Sequence, residues 1–150
     1  MTHKHQLQLD LLLSYRQLKR ALREVFSHIA SQNELTELQA MILKALQDNA
    51  NIGLNELSSA VLCSEGQAST VIEQLVHMGL VSRERSTEDR RRITLEVTDS
   101  GEQRLHLMFG SESRFLDVMT RVFSLPERDL EYLIQMNQRI IQNLQSEGVK

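Results

Sequence analysis

A chain of 150 residues and 17.3 kDa, 41% apolar and 25% charged, has the composition of a folded domain and is too short for a multi-enzyme architecture. Six glycines and one proline, against roughly 18 for the two together at average usage, leave room for few turns and make long helices the expectation. The formal charge of −3 excludes a strongly basic nucleic-acid clamp. No apolar run approaches the roughly 18 residues of a membrane span, and Met1 to Gln6 lacks the apolar core of a signal peptide, so a cytoplasmic protein is expected.

In chain order, Leu11, Tyr15, Leu18, Leu22, Val25 and Ile29 fall at 4-3-4-3-4 spacing and predict one long amphipathic helix over 7–30. Leu12, Leu13 and Phe26 widen its stripe beyond a two-stranded seam. Thr36 with Gln39 forms a capping box ahead of Leu38, Met41, Ile42, Ala45 and Leu46, and Asn49 to Gly53 ends that helix. A short helix follows with Leu54, Leu57, Ala60 and Val61 inward. Ser64 with Gln67 is a second capping box, opening a helix whose inward face is Ala68, Val71, Ile72, Leu75 and Val76, closed by Gly79. The period then changes from 3.6 to 2 at Ile93–Val97, with Leu80-Val81 as partner strand and a polar loop between. Leu105, Met108, Phe109, Phe115, Leu116, Met119, Val122 and Phe123 read as one further helical stripe. Leu130, Leu133, Ile134, Asn137, Ile140, Ile141 and Leu144 form the last, with Ser124 as its cap and Pro126 in its first turn.

Helix, short helix, helix and two-stranded hairpin is the order of a winged helix-turn-helix, whose second turn helix enters the DNA major groove. On that helix Glu65, Gln67, Ser69 and Thr70 lie off the apolar face. Gln can pair bidentately with adenine, and hydroxyls reach bases or phosphates. The hairpin loop carries Arg90, Arg91 and Arg92 beside Asp89. Guanidinium groups suit a narrow minor groove, and Asp89 can hold one extended. The broad apolar stripes at both chain ends exceed what the small winged core can cover, which points to a homodimer, the alternative being an intrachain bundle of the two ends.

Leu35-Thr36-x-x-Gln39, Asn55-Glu-Leu57-Ser, Ser69-Thr-Val71 with Leu75, Gly79-Leu-Val-Ser-Arg83, Asp89-Arg-Arg91 and Leu95-x-Val-Thr98-x-x-Gly101 together resemble the multiple-antibiotic-resistance regulator (MarR) family of bacterial transcription factors. The match runs from 35 to 101. It implies a mainly α single domain over 1–150: dimerisation helices over 7–30 and 99–146, and a winged helix-turn-helix over 35–98 with its wing at 80–98. Members are homodimers on pseudo-palindromic operators of double-stranded DNA, commonly repress, and often release DNA when a small aromatic or other apolar effector, or an oxidant, reaches the junction of dimer helices and winged domain. The resemblance makes Gln67, Ser69 and Thr70 major-groove residues, Arg90 and Arg91 wing residues, and Ser64 a phosphate contact or helix cap. The chain departs from many relatives in having no lysine or arginine from Glu65 to Met78, where Glu65 and Glu73 stand instead.

The lone cysteine, Cys63, permits no intrachain disulfide and no CxxC motif. It is a candidate redox residue because a helix N-terminus follows it, set against burial beside Val61-Leu62. The thiol-sensing branch of the resembled family uses a cysteine near the start of its first helix, and positions 1–30 have none. His3, His5, His28, His77 and His106 show no metal-ligand spacing, so no metal or cofactor is expected. With no Gly-rich phosphate loop, G-x-S-x-G elbow or acid/base pair, no catalytic residue is assigned. The competing reading is a winged-helix protein-interaction module without direct DNA reading. By segment, 25–82 holds one basic and six acidic side chains, while 83–98 holds five basic and four acidic, so affinity for DNA would rest on a few arginines and two-fold symmetry.

Overall fold

The computed structural model describes residues 1–85 and 93–148. The described chain forms α1 (His3–Gln32), α2 (Glu37–Asp48), α3 (Leu54–Val61), α4 (Glu65–His77), β1 (Val81–Arg85), β2 (Ile93–Val97), α5 (Asp99–Phe109), α6 (Arg114–Val122) and α7 (Glu127–Ser146). It divides into two compact units, Met1–Phe115 and Leu116–Lys150.

In the first unit the core is a layer of Ile42, Leu43, Leu57, Leu75, Leu80, Val81 and Leu105, which joins α2, α3, α4, β1 and α5. Ile29 and Ala30 bring the end of α1 onto it. The α4 face of Ala68, Val71, Ile72 and Leu75 is buried as its spacing predicts. Two inward faces differ from expectation. On α2 the buried residues are Ala40, Ile42, Leu43 and Leu46, and Met41 is exposed. On α3, Leu57, Ser58 and Val61 are buried while Leu54 and Ala60 are not. Both helices pack on several neighbours, and tertiary contact rotates the buried face away from the one that spacing alone selects.

The first helix starts earlier than its apolar stripe, because Thr2 and His5 form a capping box: Thr2 Oγ1 accepts from His5 N at 3.2 Å, and Thr2 N donates to His5 Nδ1 at 3.4 Å. The stripe expected from Leu105 to Phe123 is broken into α5 and α6. Gly110 leaves the helix with extended backbone, φ −64° and ψ 168°, and the turn folds Phe115 back so that its ring meets Phe109 edge-on at 4.9 Å and Phe26 at 5.4 Å. Ser124 does not cap the last helix. Pro126 itself is the N-cap, its carbonyl accepting from Leu130 N at 3.1 Å.

Three helices end in the same left-handed device, in which paired amides close on the last carbonyls. Leu35 N donates to Ala30 O and Glu34 N to Ser31 O at the end of α1. Cys63 N to Ser58 O and Leu62 N to Ser59 O close α3, and Leu80 N to Leu75 O and Gly79 N to Val76 O close α4. The left-handed residues of these three turns are Glu34 at φ 58°, Leu62 at φ 59° and Gly79 at φ 76°. Only the last is glycine, so the small glycine complement reflects left-handed positions filled by other residues as well as few turns.

β1 and β2 pair antiparallel with Val81 opposite Val97 and Arg85 opposite Ile93. The Thr98-x-x-Gly101 motif fixes this hairpin to α5. Thr98 Oγ1 caps the helix by accepting from Gly101 N at 3.1 Å and donates to Gly79 O at 2.6 Å, while Thr98 N donates to Leu80 O at 3.0 Å. Gly101 is required because a Cβ there would strike the Leu80 carbonyl oxygen.

α7 has no buried residue, and Leu133, Ile134, Ile141 and Leu144 each keep about half of their surface exposed. Leu7, Leu11, Leu12 and Leu18 of α1 are exposed likewise.

Candidate nucleic-acid interface

The recognition helix α4 is set by its cap. Ser64 Oγ accepts from Gln67 N at 3.1 Å and donates to Gln67 Oε1 at 3.2 Å, and the same amide oxygen accepts from Ser64 N at 3.1 Å. Ser64 is therefore a helix cap in the structure. Gln67 is exposed, but its oxygen is committed to the box. Bidentate pairing with adenine uses both ends of the amide and so needs that box to open. Ser69 and Thr70 are exposed on the same end of the helix, with Thr70 Oγ1 donating to Gly66 O at 3.0 Å. All four recognition-helix candidates are exposed at the N-terminal end of α4, where Ser69 lines one flanking groove and Gln67 the other. Asp89, Arg90, Arg91 and Arg92 lie outside the described residues.

Two contacts that the sequence did not reveal hold α4 in place. Gln39, whose Oε1 accepts from Thr36 N at 3.0 Å to cap α2, donates through Nε2 to Gln74 Oε1 at 2.9 Å. Arg83 of β1 donates through its guanidinium to the Glu73 carboxylate, an ion pair whose side chains are 38% and 61% exposed. The partners lie 10 residues apart, on a strand and a helix, so no local spacing signals the pair.

Two grooves flank the helix. The first, about 900 Å³, runs between the α2–α3 connection, α4 and the hairpin, and Asn51, Ser69, Glu73, Arg83 and Thr94 supply its polar lining. The second, about 630 Å³, lies between α1, α2 and the turn into α4. Leu22, Phe26, Leu38 and Met41 form its apolar wall, Lys19 and Arg23 add positive charge, and Cys63 and Gln67 reach it from the turn. Tyr15, Arg16 and His28 of α1 are not among its lining residues. Positions 19, 22, 23, 26 and 27 face it instead. Cys63 is half-buried at that wall, its amide tied to Ser58 O at 2.9 Å.

The model of the family described as transcriptional regulator SarA/Rot matches residues 24–108, from the second half of α1 to the end of α5. The chain belongs to that family. This SarA/Rot-family regulator is 27% identical over 124 residues to the transcriptional repressor YetL of Bacillus subtilis, spanning 81% of its own length and 74% of YetL. It is 27% identical over 115 residues to the transcriptional repressor MprA of Escherichia coli, of which it spans 65%. Among solved structures it shares its fold with a MarR family transcription regulator at TM-score 0.81 and 17% identity, covering 100% of this chain and 98% of that one. A second is MepR of S. aureus in complex with DNA, at TM-score 0.71 and 20% identity, covering 88% and 96%. The regulator therefore has the MarR-type winged-helix fold, and its family is one of transcriptional regulators rather than enzymes. Among the described residues no helix is long and apolar enough to cross a membrane.

Proposed function

We propose that this chain is a sequence-specific repressor that binds a pseudo-palindromic operator as a homodimer and acts in the cytoplasm. The observation that carries this reading is the exposed polar end of α4, where Gln67, Ser69 and Thr70 stand on a helix whose inner face is locked into the core. Capping, Gln39 and Arg83 fix that helix from three sides, and a fixed reading head is what base discrimination needs. Arg90, Arg91 and Arg92 supply the minor-groove arm, with Asp89 orienting one of them. The exposed leucines of α1 and the unburied apolar face of α7 are the homodimer surface. The groove over Leu22, Phe26, Leu38 and Met41 receives a small apolar effector, since occupancy there bears on Gln67 and on Thr36, the caps of α4 and α2.

The test is selection of bound sequences from random duplex DNA by the full chain. A recovered inverted repeat with half-sites about 10 bp apart is the expected result. Arg90→Ala or Arg91→Ala then weakens binding to it. Absence of any enriched sequence at low salt would favour the protein-interaction module, to which the acidic Glu65 and Glu73 on α4 are otherwise suited.

A further inference from the structure

Glu73 and Ser69 are four residues apart on α4 and both line the groove beside the hairpin. Four residues of helix rise by about 6 Å, so the carboxylate stands one turn along from a base-reading residue, on the same face. The Arg83 guanidinium is held at that point, on the carboxylate. Among the described residues it is the cation paired with an acidic side chain of the recognition helix, which has no lysine or arginine of its own. A phosphate that took this guanidinium would leave an unpaired carboxylate facing the DNA backbone. The pair is thus neutral towards DNA as a unit and releases no counterion.

Resting on the operator-binding reading above, we propose that Glu73 is a specificity-determining residue that withholds Arg83 from the DNA backbone. Non-specific affinity comes almost entirely from phosphate neutralisation, whereas specific affinity also has base contacts. Masking a cation beside the reading face therefore lowers the former more than the latter and widens the ratio between them. A chain of net charge −3 with few free cations near its recognition helix gains selectivity by the same means.

The experiment measures binding of the full chain to a random-sequence duplex and to the selected operator between 50 and 200 mM salt. Glu73→Gln frees Arg83, so each protomer gains one phosphate contact. The slope of log K against log salt steepens by about 0.9 per protomer, equivalent to an additional loss of about 3.5-fold per protomer across that salt range. Random-duplex affinity at 50 mM rises several-fold, and the operator-to-random ratio falls. Glu65→Gln makes the same charge change on the same helix without freeing a cation and leaves the slope at its wild-type value. Glu73→Gln with Arg83→Gln restores that value too. Equal effects of Glu73→Gln and Glu65→Gln would overturn the proposal by reducing it to net charge. Equal loss of operator affinity in Glu73→Gln and Arg83→Gln with unchanged slopes would overturn it by making the pair a mere brace. Failure of wild type and Glu73→Gln alike to bind either duplex would sink the operator reading and this inference together, whereas wild-type operator binding with an unmoved Glu73→Gln slope would sink this one alone.

Discussion

Replacing Gly101 by alanine sets two effects of opposite sign against each other. Alanine is favoured over glycine within a helix by about 1 kcal/mol. Against that, the new Cβ lies 2.6 Å from Val97 Cγ1 and closer still to the Leu80 carbonyl oxygen. Neither neighbour can withdraw: Leu80 is 2% exposed and its oxygen accepts from Thr98 N, while Val97 is paired with Val81. Overpacking of a filled core costs about 1–3 kcal/mol, and a backbone obstacle puts this site at about 3. Packing wins, and Gly101→Ala destabilises by about 2 kcal/mol. In urea, with a slope of about 2 kcal/mol per molar for a chain of this size, the midpoint falls by about 1 M at fixed protein concentration. Far-UV circular dichroism reads it. A midpoint equal to or above wild type would refute the claim that α5 is seated directly on the Leu80 backbone and on β2.

Leu62→Gly removes the steric cost of a left-handed leucine that is 91% exposed, and the added freedom of the unfolded chain returns part of it, so stability rises by about 0.5–1 kcal/mol in the same titration; a loss would mean that the leucine side chain holds the turn. Ser64→Ala deletes the cap of α4 and costs about 1 kcal/mol, with weaker operator binding in a gel-shift assay, whereas Ser64→Gly costs only a few tenths. Ile134→Glu places a charge on the unburied apolar face of α7, and sedimentation is expected to show monomer where wild type shows dimer; a dimeric variant would remove α7 from the interface.

Where chemistry is local, the chain was legible. Thr36 with Gln39 and Ser64 with Gln67 announce two helix starts, and both boxes are present in the structure. Alternation at Ile93–Val97 gives the second strand, and its partner proves to be Val81–Arg85. Apolar spacing carried on through Gly110–Ser113 and so hid the break between α5 and α6, which is fixed by the ring contacts of Phe115 with Phe26 and Phe109. Nothing in Glu34 or Leu62 marks a left-handed residue, because the conformation is imposed by the amides that follow it. Gln67, Ser69 and Thr70 share the exposed end of α4 as their spacing requires, yet the pair of Glu73 with Arg83 depends on how strand and helix pack. The same holds for the groove beside α1, whose α1 wall is chosen by the docking of α1 on α2.

Gln39 has one planar amide and two employers. Its oxygen caps α2 through Thr36, which lines the groove beside α1, and its nitrogen holds Gln74 in the middle of the recognition helix. The amide cannot turn to follow Thr36 without losing Gln74, so the groove and the reading head share a free-energy term. Such a term is reciprocal. An occupant that loosens the protein's grip on its operator must itself be held less tightly by the operator-bound protein, by the same factor. On the proposed reading, the protein at work on DNA is a poorer receptor for such an occupant than the protein free in solution.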